Sequence, residues 1–356
     1  MKFMKGLKAG GKLRIILALI IFSMIILFHE LGHFLLAKHN DVKVNEFCLG
    51  LGPTIFGVQK GETKYSLKLF PFGGACMMEG EDEESADDRS FNNKSVLQRA
   101  SIVAAGPIFN FIMAFAFSLI IVGAAGFDKP VLSGVMEGYP AQEAGMRQGD
   151  EIVKLGNKRI HLYREVSIYT FFHANEAVKV TYRRDGKDCQ AVLTPKLDEG
   201  SGRKLFGLQG SPARTKGNVL ETLRYSAYEV NYWIWSTVES LKQLVTGRIS
   251  INNLSGPVGI VKTIGDTYTQ AKSEGTFLVL LNMLNICILL SANLGVMNLL
   301  PIPALDGGRL VFLLLEGIRR KRFDPNKEGV LNFVFLVALM VLMVVIMFND
   351  IRKIIL

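Results

Sequence analysis

Residues 26–37 read ILFHELGHFLLA, two histidines and a glutamate inside a run of otherwise apolar side chains. An ionisable group in the middle of a bilayer costs at least about 2.5 kcal/mol, so three together need a shared reason. His29 and His33 are four residues apart, which on a helix puts both imidazoles on one face, a turn apart and offset by about 40°. Both can therefore reach one metal ion. Glu30 follows His29 directly and completes the HExxH arrangement, in which two histidines bind zinc and the glutamate polarises a water molecule. The chain holds only 5 histidines, so so constrained a pattern is not expected by accident. A divalent cation is also the best answer to the cost of burying the carboxylate.

Fourteen residues of the apolar run precede His29, about 21 Å of helix at ~1.5 Å per residue. In a hydrocarbon core about 30 Å thick the motif then lies some 10 Å short of the far boundary. The basic opening MKFMKGLKAGGKLR resembles that of a signal peptide, but no small-residue cleavage site follows, and the segment reads as a retained anchor.

The rest of the chain agrees with a membrane setting. Of 356 residues 49% are hydrophobic, and residues 101–125, 277–300 and 329–348 form three further apolar stretches near the length of a span. Four spans put both termini on one side. Lys and Arg number eight in residues 38–100 and six in 301–328, against five and two at the N- and C-terminal ends, which favours those two loops inside. The net charge of +9 suits an anionic lipid surface, and no nucleic-acid motif accompanies it. Cys48, Cys76, Cys189 and Cys287 are scattered without a CxxC, so neither a zinc knuckle nor a disulfide framework is implied; Cys48 and Cys76 are the pair a fold could join.

Between the second and third spans lie about 150 residues of ordinary composition, too many for a loop. VLSGVM and DEIVKLGNKRI read as strands, LYREVSIYTFFHANE as a helix, AVKVTYRRDGKDCQAVLTPKL as a hairpin turning at Asp185-Gly186, and KLFGLQG as a closing strand. Residues 129–212 resemble the PDZ family, with Pro140, Ala144, Gly145, Gly149 and Asp150 on its bacterial signature. That resemblance implies capture of an extended peptide segment at a sheet edge. Beyond it, Leu220, Leu223, Ala227, Val230, Ile234, Val238, Leu241 and Val245 recur at three- and four-residue steps, the apolar face of an amphipathic helix. With Trp233 and Trp235 near its middle, this helix is expected to lie along the lipid interface.

A catalytic zinc takes three protein ligands and keeps one open position. The sequence offers two candidates for the third. His39 stands where the HExxHxxGxxH pattern has its last histidine, but Leu36 replaces the turning glycine, and on a continuing helix His39 points about 240° away from His33. Asp306, in NLLPIPALDGGRL, follows the third span where Pro301 and Pro303 forbid a regular helix. An aspartate at membrane depth is functional by default, although this one could also cap a helix over 308–318. A metal transporter would need ligands along a path across the membrane; the third span offers Asn282, Asn285, Asn293 and Asn298, and neither it nor the fourth has a carboxylate or histidine.

Taken in order, HELGH, PFGG at 71–74, AGPIFN (Gly106, Pro107, Asn110), one PDZ insert and NLLPIPALDGG resemble the site-2 protease family of intramembrane zinc metalloproteases. The resemblance implies His29, His33 and Asp306 as ligands of one Zn2+ ion and Glu30 as catalytic base. It implies a β-hairpin-like loop over residues 44–74 dipping into the membrane, beside which substrate pairs as a strand, with Phe72, Gly73, Gly74 and Asn298 touching substrate. The expected fold is a polytopic α-helical membrane protein of four transmembrane helices, with a membrane-dipping β-hairpin loop and an inserted α+β PDZ domain. Its divisions are the first span (1–37), inner loop (38–100), second span (101–128), PDZ domain (129–212), interfacial helix and linker (213–275), third span with the LDG motif (276–328) and fourth span (329–356). The resemblance further implies a single-pass membrane protein as substrate, residence in the cell membrane, a PDZ domain outside the cytoplasm, and an active site near the cytoplasmic face.

Overall fold

The computed structural model describes residues 12–81, 85–210, 213–250 and 254–355. Four helices are long and apolar enough to cross a membrane: α1 (Lys12–His39), α2 (Val96–Ala125), α7 (Thr276–Asn298) and the span Lys327–Ile354 within α9 (Pro325–Ile355). Each overruns the roughly 20 residues a bilayer requires, because a backbone in lipid must satisfy its own hydrogen bonds. Two compact units divide the chain, one holding residues up to Phe117 and from Leu244 onward, the other Ser118–Gln243.

In the first unit, α1 is followed by the paired strands β1 (Val44–Lys60) and β2 (Thr63–Met78). Both strands bend, so two strands make a four-segment sheet. Residues 54–60 lie beside 63–68, residues 46–49 lie beside 64–67 on one side and beside 74–77 on the other. Segment 64–67 is thereby paired along both edges, and segment 74–78 keeps an open edge. Leu51, Ile55, Phe56, Val58, Leu67, Leu69 and Phe70 are exposed apolar side chains on this sheet, a surface that suits lipid better than water. Near the C-terminal end of α1 the sheet is fixed by a buried cluster of Ala37, Val42, Val44, Cys76, Met78, Phe91, Ile102, Val103 and Leu313. The four cysteines are free, Cys48 and Cys76 included.

Residues 213–275 contain more helix than expected. The segment read as a linker holds α6 (Pro257–Lys272), started by Pro257 after the Gly256 cap and built on apolar residues at helical spacing. Ile264, Val261 and Ile260 join Ile21 and Ile25 of α1, Met113 of α2 and Ile286 of α7 in one cluster. The Asp350 carboxylate of α9 accepts from Gly259 N–H at 2.8 Å, satisfying an orphan amide at the start of α6. Helix α8 (Asp306–Arg319) completes the unit, and buried Arg99 of α2 holds it through Glu316 at 2.5 and 3.1 Å.

The second unit is PDZ-like: a four-stranded sheet ordered β5 (Lys158–Arg159), β4 (Glu151–Leu155), β6 (Val178–Arg184), β7 (Lys187–Leu193). Strand β3 (Leu132–Val135) pairs with β10 (Leu208–Gly210), β8 (Lys196–Asp198) with β9 (Arg203–Leu205), and helices α3 (Pro140–Glu143) and α4 (Tyr163–Phe172) complete it. The β6–β7 turn falls at Asp185-Gly186, both with positive φ, as the sequence predicts. Asp150 of the signature is buried and clamps the fold, accepting from Arg184 at 2.6 and 2.7 Å and from Arg147 N–H at 2.9 Å. Helix α5 (Val219–Val245) differs from expectation in where its aromatics go. Trp235 packs against the domain's core, under Lys158 and beside Tyr169, while Tyr225 stacks on Phe127 and Tyr228 on His161. Leu220, Leu223 and Val238 of the apolar stripe stay exposed.

Candidate metal centre

His29 and His33, a turn apart on α1, are both buried, and their Nε2 atoms lie 3.3 Å apart. Asp306 arrives from the far end of the chain: its Oδ2 is 3.2 Å from His29 Nε2 and 3.5 Å from His33 Nε2. Among the described residues these three form a group able to hold a metal ion. Tetrahedral zinc with ligands at ~2.0–2.1 Å sets its ligand atoms about 3.3 Å apart. The triangle has that size. Asp306 Oδ2 is buried with no hydrogen-bond partner, an orphan that a cation would satisfy. His33 Nδ1–H donates to the Ile102 carbonyl at 2.9 Å, which leaves its Nε2 lone pair directed to the same point. The donor set fits zinc.

The backbone that delivers Asp306 is irregular for physical reasons. Pro301 and Pro303 break the helix after α7, and Ala304 takes a left-handed φ of 74°, its N–H held by Asn332 Oδ1 at 3.1 Å. Gly307 and Gly308 let this loop return against the start of α8: a β-carbon on Gly307 would meet Leu300 O at 2.2 Å, and one on Gly308 Ile302 O at 2.3 Å. The capping alternative does not describe the helix. Leu305 holds the N-cap position and Asp306 is the first helical residue, its carboxylate turned to the histidines. His39 is exposed at the end of α1 and outside the ligand group, as a continuing helix requires.

Helix α2 closes the other side. Gly106 faces both rings, and a β-carbon there would lie 2.2 Å from His33 Nε2 and 2.7 Å from His29 Cε1. Pro107 has no amide hydrogen for the Val103 carbonyl one turn back, and the adjacent Ile102 carbonyl is the one that meets His33. Sequence reasoning noted Asn110 within AGPIFN but gave it no part; it contacts His29 Nδ1 at 3.2 Å. A polar residue in an apolar span was the signal. Asn298, expected at the substrate, has its Nδ2 3.3 Å from His29 Nε2.

His29, His33, Glu30 and Asp306 line a cavity of about 700 Å3 whose opposite wall is the strand segment Gly74–Met78. Its polar end is formed by Glu79, Glu81 and Arg309, with Arg309 donating to the Glu81 backbone carbonyl at 3.0 Å and pairing with its carboxylate. Gly74 abuts Glu30, whereas Gly73 abuts Leu51. Phe72 lies in β2, its side chain outside the described ones. Strand pairing by a substrate, expected beside the loop over 44–74, cannot use 64–67, because both of its edges are taken; the open edge on the cavity is 74–78.

Comparison with known proteins identifies the family. The model of peptidase family M50 matches residues 17–342. A protein of Clostridium acetobutylicum is 38% identical over 95% of this chain and 97% of its own. Zinc metalloprotease RasP of Geobacillus kaustophilus is 30% identical over 95% of this chain and 98% of its own, and regulator of sigma-W protease RasP of Bacillus subtilis is 30% identical over the same shares. With nearly the whole length accounted for by one family, the chain belongs to peptidase family M50, the site-2 proteases, and is a multi-pass membrane zinc metalloprotease.

Proposed function

We propose that this protease cuts a peptide bond within or near the transmembrane segment of a single-pass membrane protein, with His29, His33 and Asp306 holding the zinc ion and Glu30 as the base. The observation that carries this reading is the open strand edge 74–78 on the wall of the cavity that contains the ligand triangle. A substrate helix shields its own carbonyls. An extended segment added to 74–78 by main-chain hydrogen bonds would present one beside Glu30.

Zinc supplies Lewis acidity, making a water nucleophilic near neutral pH and favouring charge on the scissile carbonyl oxygen. Glu30 takes the proton of the attacking water as its oxygen bonds to the carbonyl carbon, then gives it to the amide nitrogen as the C–N bond breaks. Asn298 Nδ2, already at His29, is within the site to donate to a substrate carbonyl. The charge balance of the loops supports a cytoplasmic-side active site and a PDZ-like domain outside.

In that domain a cavity of about 550 Å3 runs between α4 (Tyr163, Val166, Thr170) and segment Leu205–Leu208. It supports capture of a peptide segment there, which would select substrates before they reach the cavity in the membrane. The naming of the Bacillus relative for sigma-W regulation supports a role in regulated intramembrane proteolysis, with anti-sigma-factor-like substrates.

The test is cysteine cross-linking in a Glu30→Gln chain with a single-pass substrate carrying cysteines along its cleavage region. Cross-links at 75 and 77, alternating with silence at 76, are the expected pattern. Cross-links confined to 63–68 would overturn the edge assignment.

A further inference from the structure

Ile102, Gly106 and Asn110 recur every four residues on α2, so one stripe of this helix meets both imidazoles. The His33 end is settled by the Ile102 carbonyl. At His29, Nδ1 is met by the Asn110 carboxamide, its Nδ2 3.2 Å away, while Nε2 belongs to the triangle with Asp306 and His33 and has Asn298 Nδ2 at 3.3 Å. Asn110 is fully buried, and its Oδ1 has no hydrogen-bond partner.

An imidazole that gives Nε2 to a metal carries its proton on Nδ1 and has to donate from there. The Nδ2 group of Asn110 cannot accept that hydrogen; its Oδ1 can, and a half-turn of the carboxamide exchanges the two. We infer that Asn110 is the positioning residue for His29: with Oδ1 turned to Nδ1–H, it fixes the tautomer that leaves Nε2 free for zinc. The inference rests on the zinc reading of the triangle. It makes α2 the source of both orienting groups, a backbone carbonyl for His33 and a carboxamide for His29. The stripe is held in place from α7, where Ser291 Oγ donates to the Asn110 carbonyl at 2.7 Å.

The test uses the full chain in detergent with Glu30→Gln, so that zinc affinity is measured without turnover, by competition with a chelator of known strength. Asn110→Leu keeps the volume and cannot accept; it should weaken zinc binding roughly 10–100-fold. Asn110→Asp accepts from Nδ1–H in the carboxylate–histidine–zinc manner and should stay within about threefold of the parent. Unchanged affinity in the leucine variant overturns the inference, as does an aspartate variant as weak as the leucine one. Because a leucine at this depth could unsettle folding, the protonated nitrogen is also read directly, by 15N NMR of histidine-labelled, zinc-loaded chain with Asn110 intact. A proton on His29 Nδ1 supports the assignment; zinc on Nδ1 with the proton on Nε2 sinks it. A parent chain that takes no zinc at all overturns the metal reading itself, a result distinct from the failure of Asn110 alone.

Discussion

A β-carbon on Gly74 would stand 3.0 Å from Cγ of Glu30, so the open strand edge and the base-bearing turn of α1 touch with no room for a side chain. The strand that would hold a substrate and the group that would act on it are thus set by one contact. Gly74→Ala should therefore displace Glu30 while leaving the three ligands alone. We expect turnover to fall about tenfold, equivalent to ~1.4 kcal/mol in the barrier, with zinc content unchanged. Cleavage of one substrate and metal analysis on the same preparation check it; full turnover would show that the contact has no catalytic weight.

Glu30→Gln keeps the shape of the side chain and removes its ability to take a proton. Cleavage should drop by at least roughly 10²–10⁴-fold, the usual contribution of a general base, while zinc stays bound. Single-pass fragments accumulating in membranes that carry this variant would identify substrates. Retained turnover in detergent would require another base.

Asp306→Ala should lose zinc and activity together, since one of three protein ligands goes and the site's charge is unbalanced. His39→Ala should change neither, being exposed and outside the ligand group. Mass spectrometry of both purified variants distinguishes a ligand at 306 from one at 39.

Gly106→Ala places a methyl group where His33 Nε2 already stands, at 2.2 Å. Either α2 retreats or the imidazoles rotate, and both spoil a triangle 3.2 to 3.5 Å on a side. Zinc affinity should fall at least about tenfold, in the range seen when the supports of a metal ligand are lost. Equilibrium dialysis against graded free zinc measures this, and wild-type affinity would place the rings elsewhere.

A different prediction concerns pH. Burial pushes the Glu229 carboxyl up to about 7, against the opposing pull of Arg164, with Asp128, Arg214 and Glu165 also facing it. Between about pH 4.5 and 7 the folded chain keeps a proton that the unfolded one has lost, so this group's stabilisation fades as pH rises through that window. Both tryptophans of the chain sit on α5 beside it, so their fluorescence reports this region alone. The melting transition should move down from pH 5 to 7.5 by a few degrees, about what 1 kcal/mol does in a domain of this size. Glu229→Gln should flatten that slope. An identical slope in the variant would assign the dependence to other groups.

The spans and both proposed histidine ligands are legible in the sequence because lipid imposes a length and HExxH imposes a spacing, each local along the chain. Asp306 is legible through the chemistry of Pro301 and Pro303, which mark backbone that must face protein. The doubled sheet was not, since pairing of 46–49 with two different segments depends on bends at both strands that alternation does not encode. Helix α6 was missed for a similar reason: Asp350, which satisfies its first turn, is far away in sequence. Trp235 reads as an interfacial residue from its neighbours alone; only the fold brings Tyr169 and Lys158 against it.

The delivery of Asp306 from beyond α7 has a bearing on biosynthesis. A chain emerging from the ribosome acquires His29 and Glu30 with its first span and Asp306 only after its third. Until that loop has folded back against α8, the nascent protein carries two imidazoles and a base but no complete ligand triangle. With the proposed ligand set, a partly inserted copy would be inert, and proteolysis would wait on the integrity of the finished bundle.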